Sequence, residues 1–284
     1  MNRQQTIARA ASLSGFGVHS GKPASLTIRP AGEGQGVRFV RTDVADRDAV
    51  IPALATKVTT TELGTNMSNQ AGVSVATVEH FLAACWGLGV DNVIAELDGP
   101  ELPILDGSSK PFVDLLRHAG LEEQGAPRRV LKILKTVEVG HGKKFARLSP
   151  CEGFDVRVAI DFPSKAIGRQ EIRRTMKPGL FADEIAWART FGFADQAEKL
   201  HAKGKGLGAS MDNTIVVEGD AILNPGGLQA DDEFVRHKLL DVIGDLFLAG
   251  GQIEGFYEGE QPGHALNNEL LRAVFADAAA FAWK

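Results

Sequence analysis

The sequence predicts an α+β fold in which two similar β-sheet/helix-pair domains pack helix layer to helix layer as a β-α-α-β sandwich. Each half of the chain begins with short strand-like runs and then follows the order helix, strand, helix. A polar stretch, 122–129, separates the halves as a linker, and a histidine–glycine interval recurs in both. We therefore predict an N-terminal domain over residues 1–126 and a C-terminal domain over 127–284.

The recurring interval lies on the first long helical segment of each half. His80 precedes Gly87 by seven residues, and His237 precedes Gly244 by seven. We interpret this as a diverged duplication whose halves share an inner seam, and a functional site is expected at that seam. The alternative is two unrelated α+β halves whose spacing matches by chance.

The first half contains two strand-like runs, 26–28 and 37–40, between Gly, Pro and Asp clusters, which is typical of an antiparallel sheet with tight turns. Apolar residues at helical spacing predict a helix over 77–88, with its first threonine as the N-cap and glycine at its exit. A buried strand is expected at 92–97. A second helix is predicted over 109–119, with proline near its start and glycine after its end.

The second half repeats this programme. Strand-like runs are predicted at 130–139, 145–148, 154–160 and 253–257. Helical spacing is found at 181–189, 232–248 and 265–281.

Composition excludes several classes of protein. The 284 residues are 44% hydrophobic and carry a net charge of −5 without a basic run, so nucleic acid is not an expected partner. Cys85 and Cys151 cannot build a disulfide framework or a thiolate zinc cluster, which favours a reducing compartment. No apolar leader and no run of the ~18 apolar residues that a span needs are found. We therefore expect a soluble, cytoplasmic protein without stable membrane insertion.

The most informative segment is 234–248, which is apolar around most of a helix and should be buried. His237, Asp241 and Asp245 stand at i, i+4 and i+8, hence on one stripe of this helix. Buried carboxylates are costly unless paired or bound to a metal, and an imidazole with a carboxylate one turn away suits Zn²⁺. An ordinary His/Asp ion pair is the alternative.

A second candidate is the pair Glu79 and His80, in the first turn of an apolar helix. His80 would join His237 and Asp241 as metal ligands, leaving a fourth position for water, while Glu79 serves as general base. Because HExxH is absent, the familiar metalloprotease helix is excluded. The alternative is a capping carboxylate beside a surface histidine.

A third candidate is His264, which follows Pro-Gly at the start of the last helix. It could face the seam as a general acid or cationic stabiliser, and Asp245 could hold it protonated. A solvated surface histidine is the alternative.

Together, five motifs resemble one family closely and in order along the chain. They are GFGVHSGK (15–22), TVEH (77–80), ARTFGF (188–193), HKLLDVIGDL (237–246) and GHALNNEL (263–270). The chain is similar to the UDP-3-O-acyl-N-acetylglucosamine deacetylases, zinc enzymes of lipid A and hence lipopolysaccharide biosynthesis. The resemblance implies a two-domain sandwich with zinc between the helix layers. It departs from some relatives in having no cysteine in the stretch 59–67.

The resemblance also implies roles for individual residues. The ligand set is again His80, His237 and Asp241, with Glu79 as the general base. The residue matching His264 is a protonated group for the oxyanion or the leaving amine, and Asp245 orients it. Further matches are Thr190 (oxyanion), Phe191 (sugar and acetyl group), and Lys238 and His19 (substrate binding, at the UDP end). An insertion over about 193–217, with Phe193, Leu200 and Leu207 as walls, would form the acyl-chain groove.

The implied activity is hydrolysis of the N-acetyl group of UDP-3-O-[(3R)-3-hydroxyacyl]-N-acetylglucosamine to the free amine and acetate, the committed step of lipid A biosynthesis. Zn²⁺ is the implied cofactor, although Fe²⁺ also suits N/O ligands. The substrate is the implied partner of a monomer. Two alternatives stay open: an amidohydrolase acting on another N-acetyl sugar, and a non-enzymatic binding module with a structural metal.

Overall fold

The computed structural model describes residues 3–177 and 179–284, and it confirms an α+β sandwich. Two large sheets form the outer layers, and four helices lie between them. The α-helices are α1 (Glu79–Leu88), α2 (Lys110–Ala119), α3 (Ala197–Ala202), α4 (Glu233–Phe247) and α5 (His264–Ala276). α3 is the helix that does not lie between the two large sheets; it belongs to the segment between Phe193 and Ile215. Within the described part of the chain, none of the helices is long and apolar enough to cross a membrane.

The first half builds a five-stranded sheet and two small sheets. Its strands are β1 (Arg3–Ile7), β2 (Ala11–Phe16), β3 (Pro23–Pro30), β4 (Val37–Arg41), β5 (Val50–Pro52), β6 (Val58–Thr60), β7 (Asn66–Ser68), β8 (Ser74–Val75), β9 (Val93–Leu97) and β10 (Leu121–Pro127). The large sheet has the order β2-β3-β9-β4-β5, and β6-β7-β8 and β1-β10 form the small ones. A 3₁₀ turn covers Ala55–Lys57.

The second half builds a seven-stranded sheet and a small sheet. Its strands are β11 (Val130–Ile133), β12 (Val137–His141), β13 (Lys144–Ser149), β14 (Phe154–Asp161), β15 (Arg169–Thr175), β16 (Phe191–Phe193), β17 (Ile215–Glu218), β18 (Ala221–Ile222), β19 (Gln252–Glu260) and β20 (Phe281–Trp283). β12-β13-β19-β11-β20 form one path of the large sheet, and β14 joins β19 to β15.

The two large sheets repeat one topology. In the first half β9 pairs antiparallel with β3 and parallel with β4, while β2 and β5 add on antiparallel to β3 and β4. In the second half β19 pairs antiparallel with β13 and parallel with β14, flanked by β12 and β15 in the same way. This shared order is the pattern that a duplicated chain would give, and the expected order of sheet, helix, strand, helix is confirmed in both halves.

The halves meet where α1 packs on α4. α1 is buried from Glu79 to Cys85 and α4 along nearly its whole length, because each helix has a sheet behind it and a helix in front. Gly244 lies at the closest approach, where a Cβ would come 2.1 Å from the Glu79 carbonyl oxygen. Any side chain at this position would therefore push α4 away from α1.

Several boundaries differ from the sequence prediction. The stretch 122–129 is not a free linker: most of it lies in β10, which pairs antiparallel with β1, with Thr6 opposite Glu122. The domain boundary between 126 and 127 thus falls inside a strand, and the division into domains stays a prediction. The run 130–139 is two strands, β11 and β12, since the chain leaves the sheet between Ile133 and Val137.

Three predicted helices are also shorter than expected. Thr77 is not a cap: its φ is +58°, its hydroxyl donates to Glu101 at 3.5 Å, and α1 starts at Glu79. The segment 181–189 contains only one π-helical turn, Phe181–Ile185. The last helix ends at Ala276, and Phe281 instead pairs with Ile133 as part of β20. For Thr77 and Phe281, a long-range partner overrides the local pattern.

Candidate metal centre and active site

His80, His237 and Asp241 meet at the α1–α4 contact, and all three are buried. One donor atom from each lies within 4.8 Å of the others. Asp241 Oδ1 is 3.4 Å from His237 Nε2 and 3.7 Å from His80 Nε2. His237 and Asp241 are neighbours because they are one helical turn apart, whereas His80 arrives from the other half of the chain. The predicted ligand set is therefore brought together.

The charges of this cluster suit a metal ion. Burial lowers the pKa of His237 to about 3, and its Nδ1 lies 3.0 Å from the Ala188 carbonyl oxygen, so a neutral ring donates there and leaves Nε2 free. Burial raises the pKa of Asp241, but Lys238, at 2.6 Å, and the nearby histidines bring it well below its ordinary value. Two imidazoles and a carboxylate anion are ligands that zinc takes in catalytic sites.

Glu79 lies beside this cluster with its two oxygens in different environments. Oε2 accepts a hydrogen bond from the Thr65 backbone N–H at 3.0 Å. Oε1 is 3.8 Å from His264 Nε2. Burial raises the pKa of Glu79, even though His264 and His80 favour its charged form. A carboxylate with a raised pKa and one oxygen free of strong donors is suited to accept a proton.

His264 is a third imidazole at the seam, half-buried, and it favours the cationic form whereas His237 favours the neutral one. Its Nδ1 lies 2.8 Å from Asp245 Oδ2. Burial lowers the pKa of His264, but Asp245 and Glu79 outweigh burial and raise it to about 10. The ring is thus half-buried and paired with Asp245 rather than solvated, which contradicts the surface-histidine alternative, and both carboxylates favour its cationic form.

Sequence reasoning missed three residues around Asp245. Thr65 donates its hydroxyl proton to Asp245 Oδ1 at 2.6 Å, and Asn267 donates to Oδ2 at 2.8 Å. Tyr257 donates in turn to Asn267 Oδ1 at 2.7 Å. Tyr257 is the single tyrosine of the sequence, and Asn267 follows His264 by three residues, on the same face of α5. These two signals were available, whereas nothing in the sequence pointed to Thr65.

The 188–193 segment reaches the site through a buried ion pair. Glu233, with no exposed surface, accepts from Arg189 Nε at 2.8 Å and from the Arg189 backbone N–H at 3.1 Å. This clamp holds the Ala188 carbonyl against His237. Thr190, the next residue along, is half-buried and fixed by its backbone, which donates to Gly107 and accepts from Ile215, both at 2.8 Å.

Aromatic side chains extend from the metal cluster. The Phe191 ring packs edge-on against His237, with centroids 6.2 Å apart, and Lys238 Nζ lies 5.5 Å from the Phe191 centroid. Phe193 stands farther along, 5.8 Å from the Phe162 ring. The Phe162 ring thus connects Phe193 to Phe191, whose centroid lies 5.6 Å from that of Phe162.

His19 lies on a loop held by a buried carboxylate. Glu101 accepts from the His19 backbone N–H at 2.7 Å and from that of Ser20 at 2.9 Å. The His19 ring reaches Leu63, with Nε2 3.0 Å from the Leu63 carbonyl oxygen, two residues before Thr65. His19 is therefore linked to the site through the 63–65 turn, and Glu101 is a further residue that the sequence analysis missed.

The 193–217 segment packs against the same loop. Leu207 donates its backbone N–H to the His19 carbonyl, and its side chain is 52% exposed. Leu200 lies half-buried on α3, where its Cβ faces Gly206. The segment is a six-residue helix followed by a glycine-containing loop, as its composition indicated.

The described residues therefore form an α+β sandwich with three possible metal ligands and two further acidic side chains at its seam. The family model for UDP-3-O-acyl N-acetylglycosamine deacetylase matches residues 4–276. The chain belongs to this family, and it is accordingly an enzyme of the amide-hydrolase class.

Individual relatives agree with the family match. The chain is 50% identical to the UDP-3-O-acyl-N-acetylglucosamine deacetylase of Phenylobacterium zucineum over 273 residues, which cover 96% of this chain and 93% of the relative. It is 48% identical to that of Stenotrophomonas maltophilia and 47% identical to that of Xanthomonas oryzae pv. oryzae, over 100% of this chain and 93% of each relative.

Proposed function

We propose that the protein is a zinc-dependent deacetylase that hydrolyses UDP-3-O-[(3R)-3-hydroxyacyl]-N-acetylglucosamine to the free amine and acetate, as a cytoplasmic monomer acting at the committed step of lipid A biosynthesis. The observation that carries the proposal is the meeting of three metal-ligand side chains with a carboxylate and a cationic histidine at one buried point. Family membership and the names of the relatives support the substrate.

His80, His237 and Asp241 would hold the metal ion, because their donor atoms converge and because the pKa shifts of His237 and Asp241 favour a neutral imidazole and a carboxylate anion. A Zn²⁺ ion at these ligands supplies Lewis-acid polarisation of the acetamide carbonyl and lowers the pKa of a water molecule. Fe²⁺ suits the same nitrogen and oxygen donors.

Glu79 is the proposed general base. Its Oε2 is engaged by the Thr65 amide, so Oε1 is the oxygen that takes a proton from the attacking water. The water oxygen bonds to the acetyl carbon, and the carbon–nitrogen bond then breaks. The proton returns to the departing nitrogen, so the products are acetate and the sugar amine.

His264 is the proposed cation for the developing negative charge. Asp245 accepts the hydrogen bond from Nδ1–H of the imidazolium. The second N–H, on Nε2, therefore points towards Glu79. From there it can stabilise the oxyanion or protonate the leaving amine. Thr190 is proposed as a second oxyanion donor, offered by a backbone that Gly107 and Ile215 hold fixed.

The remaining residues are proposed to bind the substrate. Phe191 would face the sugar and its acetyl group, because its ring packs on His237. Lys238 and His19 would bind towards the anionic UDP end. Phe193 and Leu200, on the 193–217 segment, would line the groove for the acyl chain.

The test is acetate release by metal-depleted protein, before and after one equivalent of Zn²⁺, with two substrates. We expect no turnover without metal, recovery with zinc on UDP-3-O-acyl-N-acetylglucosamine, and a rate at least ~10²-fold lower on UDP-N-acetylglucosamine, which lacks the acyl chain. Equal rates on both substrates would favour an amidohydrolase of wider specificity. Zinc binding without acetate release from either would contradict the proposal.

A further inference from the structure

The 63–65 turn brings one residue into contact with both acidic side chains that flank His264. Thr65 is 1% exposed. Its backbone N–H donates to Glu79 on α1, and its hydroxyl donates to Asp245 on α4. A single residue thus joins the carboxylates that the two halves of the chain contribute.

The backbone of the 63–65 turn has an unusual conformation next to Glu79. Leu63 has a φ of +62° and Gly64 has a φ of +153°. Residues other than glycine rarely adopt such positive φ values. A Cβ on Gly64 would lie 2.9 Å from Glu79 Oε1. A side chain at this position would therefore crowd the Glu79 carboxylate, whereas glycine lets the turn lie against it, and the next amide, of Thr65, donates to Oε2.

The bonds fix the orientation of each carboxylate. On Glu79, Oε2 is taken by Thr65, which leaves Oε1 on the side of His264. On Asp245, Oδ1 is taken by the Thr65 hydroxyl, and Oδ2 is shared by His264 and Asn267. Rotation of either carboxylate would break a short bond to a buried donor, which is costly in a dry site.

The outer end of the network fixes the amide of Asn267. Tyr257 is fully buried, and its hydroxyl donates to Asn267 Oδ1. Because the oxygen of the amide is thereby identified as the acceptor, its NH₂ group is the part that faces Asp245. Tyr257 and Asn267 hold Oδ2 in place from one side while Thr65 holds Oδ1 from the other.

We propose that Thr65, supported by the Tyr257–Asn267 pair, is a positioning residue that keeps Glu79 and Asp245 in separate roles on either side of His264. It touches no reacting atom itself. Its hydroxyl directs Asp245 to His264 Nδ1, and its amide leaves Glu79 Oε1 open to accept a proton. The inference rests on the proposed function for its catalytic consequence, but the geometry of the network does not depend on that function.

The test compares Thr65→Val, which removes the hydroxyl and keeps shape and backbone, with Thr65→Ser, which restores the hydroxyl. Thr136→Val, an exposed threonine whose hydroxyl donates only to Ser149, is the matched control. We expect Thr65→Val to bind one zinc and to lower kcat about tenfold or more, with KM changed less than about twofold. Thr65→Ser should recover most of kcat, and the control should match wild type.

A second readout does not depend on turnover. In the metal-free wild-type protein, the His264 Nδ1 proton should give a low-field NMR resonance that exchanges slowly with water, because Asp245 accepts it in a buried site. Thr65→Val should accelerate this exchange about tenfold or more, and Thr65→Ser should restore it. Tyr257→Phe should produce a smaller acceleration through Asn267, and it serves as the decisive variant if Thr65→Val does not fold.

Wild-type kcat and an unchanged His264 resonance in Thr65→Val, or an unchanged resonance in Tyr257→Phe if that variant has to stand alone, would overturn the proposal. Absence of acetate release from wild type would contradict the proposed function, while the NMR comparison would still decide whether Thr65 positions Asp245.

Discussion

The two halves of the molecule share a topology but not a chemistry. α1 and α4 carry histidines at matched positions, His80 and His237, and both point into the seam. Four and eight residues after His237, α4 has Asp241 and Asp245, whereas the same steps after His80 meet Ala84 and Leu88. The difference shows that a repeated scaffold can hold an asymmetric site: in the proposed function, one half supplies a ligand and the base, and the other supplies the remaining ligands and the proton donor.

The contrast continues within the second half, between the buried His237 and the half-buried His264. Burial lowers the pKa of His237 to about 3. Together with the nearby His80 and Lys238, burial outweighs the opposing effect of Asp241. His264 has Asp245 at Nδ1 and Glu79 at Nε2, and its pKa rises to about 10. Burial disfavours the charged form of both rings, so the neighbouring charges decide which one becomes a ligand and which one a cation.

The largest expected effect comes from removing His237, the proposed metal ligand of the two histidines. His237→Gln should abolish stoichiometric zinc binding and lower acetate release about 10³-fold or more, because two protein ligands cannot hold the ion tightly. Zinc content by atomic absorption and the rate of acetate release measure both effects. His141→Gln, at an exposed histidine, is the control, and a zinc-replete, active His237→Gln would contradict the ligand assignment.

Removing the charge of Asp245 beside His264 should leave the metal in place. Asp245→Asn keeps the size of the side chain but removes the charge that holds His264 protonated, so we expect full zinc content and a kcat lower by about 10²-fold or more. Asp114→Asn, at an exposed carboxylate on α2, is the matched control. If Asp245→Asn loses zinc but reaches the wild-type rate in excess zinc, Asp245 supports metal binding and does not act through the charge of His264.

The two histidines should also differ directly in their titration. In metal-free protein, NMR at pH 5 should find His237 neutral, and at pH 8 it should find His264 cationic. Because the folded pKa of His264 lies above 6.5, its contribution to the free energy of unfolding is fully present below pH 6.5 and is lost as pH rises towards 10. His237, with a depressed pKa, instead costs stability as pH falls from 6.5 towards 3. Identical titration of the two rings would refute the contrast.

The smallest expected effect lies outside the seam, at the His19 loop of the first half, which is proposed to bind substrate. Glu101→Gln weakens the hydrogen bonds that fix the His19 loop, so KM should rise about fivefold while kcat stays within about twofold. Glu96→Gln, a carboxylate paired with Arg29 on the outer face of the sheet, should leave both parameters unchanged. A fall in kcat with KM unaltered would place His19 in the chemistry rather than in binding.

The sequence predicted the site residues that helical geometry brings together, but not the residues that loops bring close to them. The stripe from His237 to Asp245 follows from the pitch of one helix, and the matched histidine–glycine interval indicated that His80 faces it. Thr65 reaches the site, and Glu101 reaches the His19 loop, from segments whose course depends on distant contacts. The family resemblance supplied Thr190 and Phe191, which no local pattern singles out.

The same reason explains the misplaced boundaries. Thr77 was the better local cap by residue type, but the buried Glu101 takes its hydroxyl and α1 begins two residues later. Phe281 continued a helical pattern, yet pairing with Ile133 draws it into a strand. Local preferences amount to less than ~1 kcal/mol per residue, which a tertiary hydrogen bond or a strand pairing exceeds.

The most direct test is the rate and zinc content of Glu79→Gln, measured on UDP-3-O-acyl-N-acetylglucosamine beside wild type and Glu123→Gln, an exposed control. Because Gln keeps the bond to the Thr65 amide but cannot accept the proton at Oε1, we expect one bound zinc and acetate release lower by ~10²-fold or more. A Glu79→Gln enzyme that binds zinc and turns over at the wild-type rate would show that Glu79 is not the base.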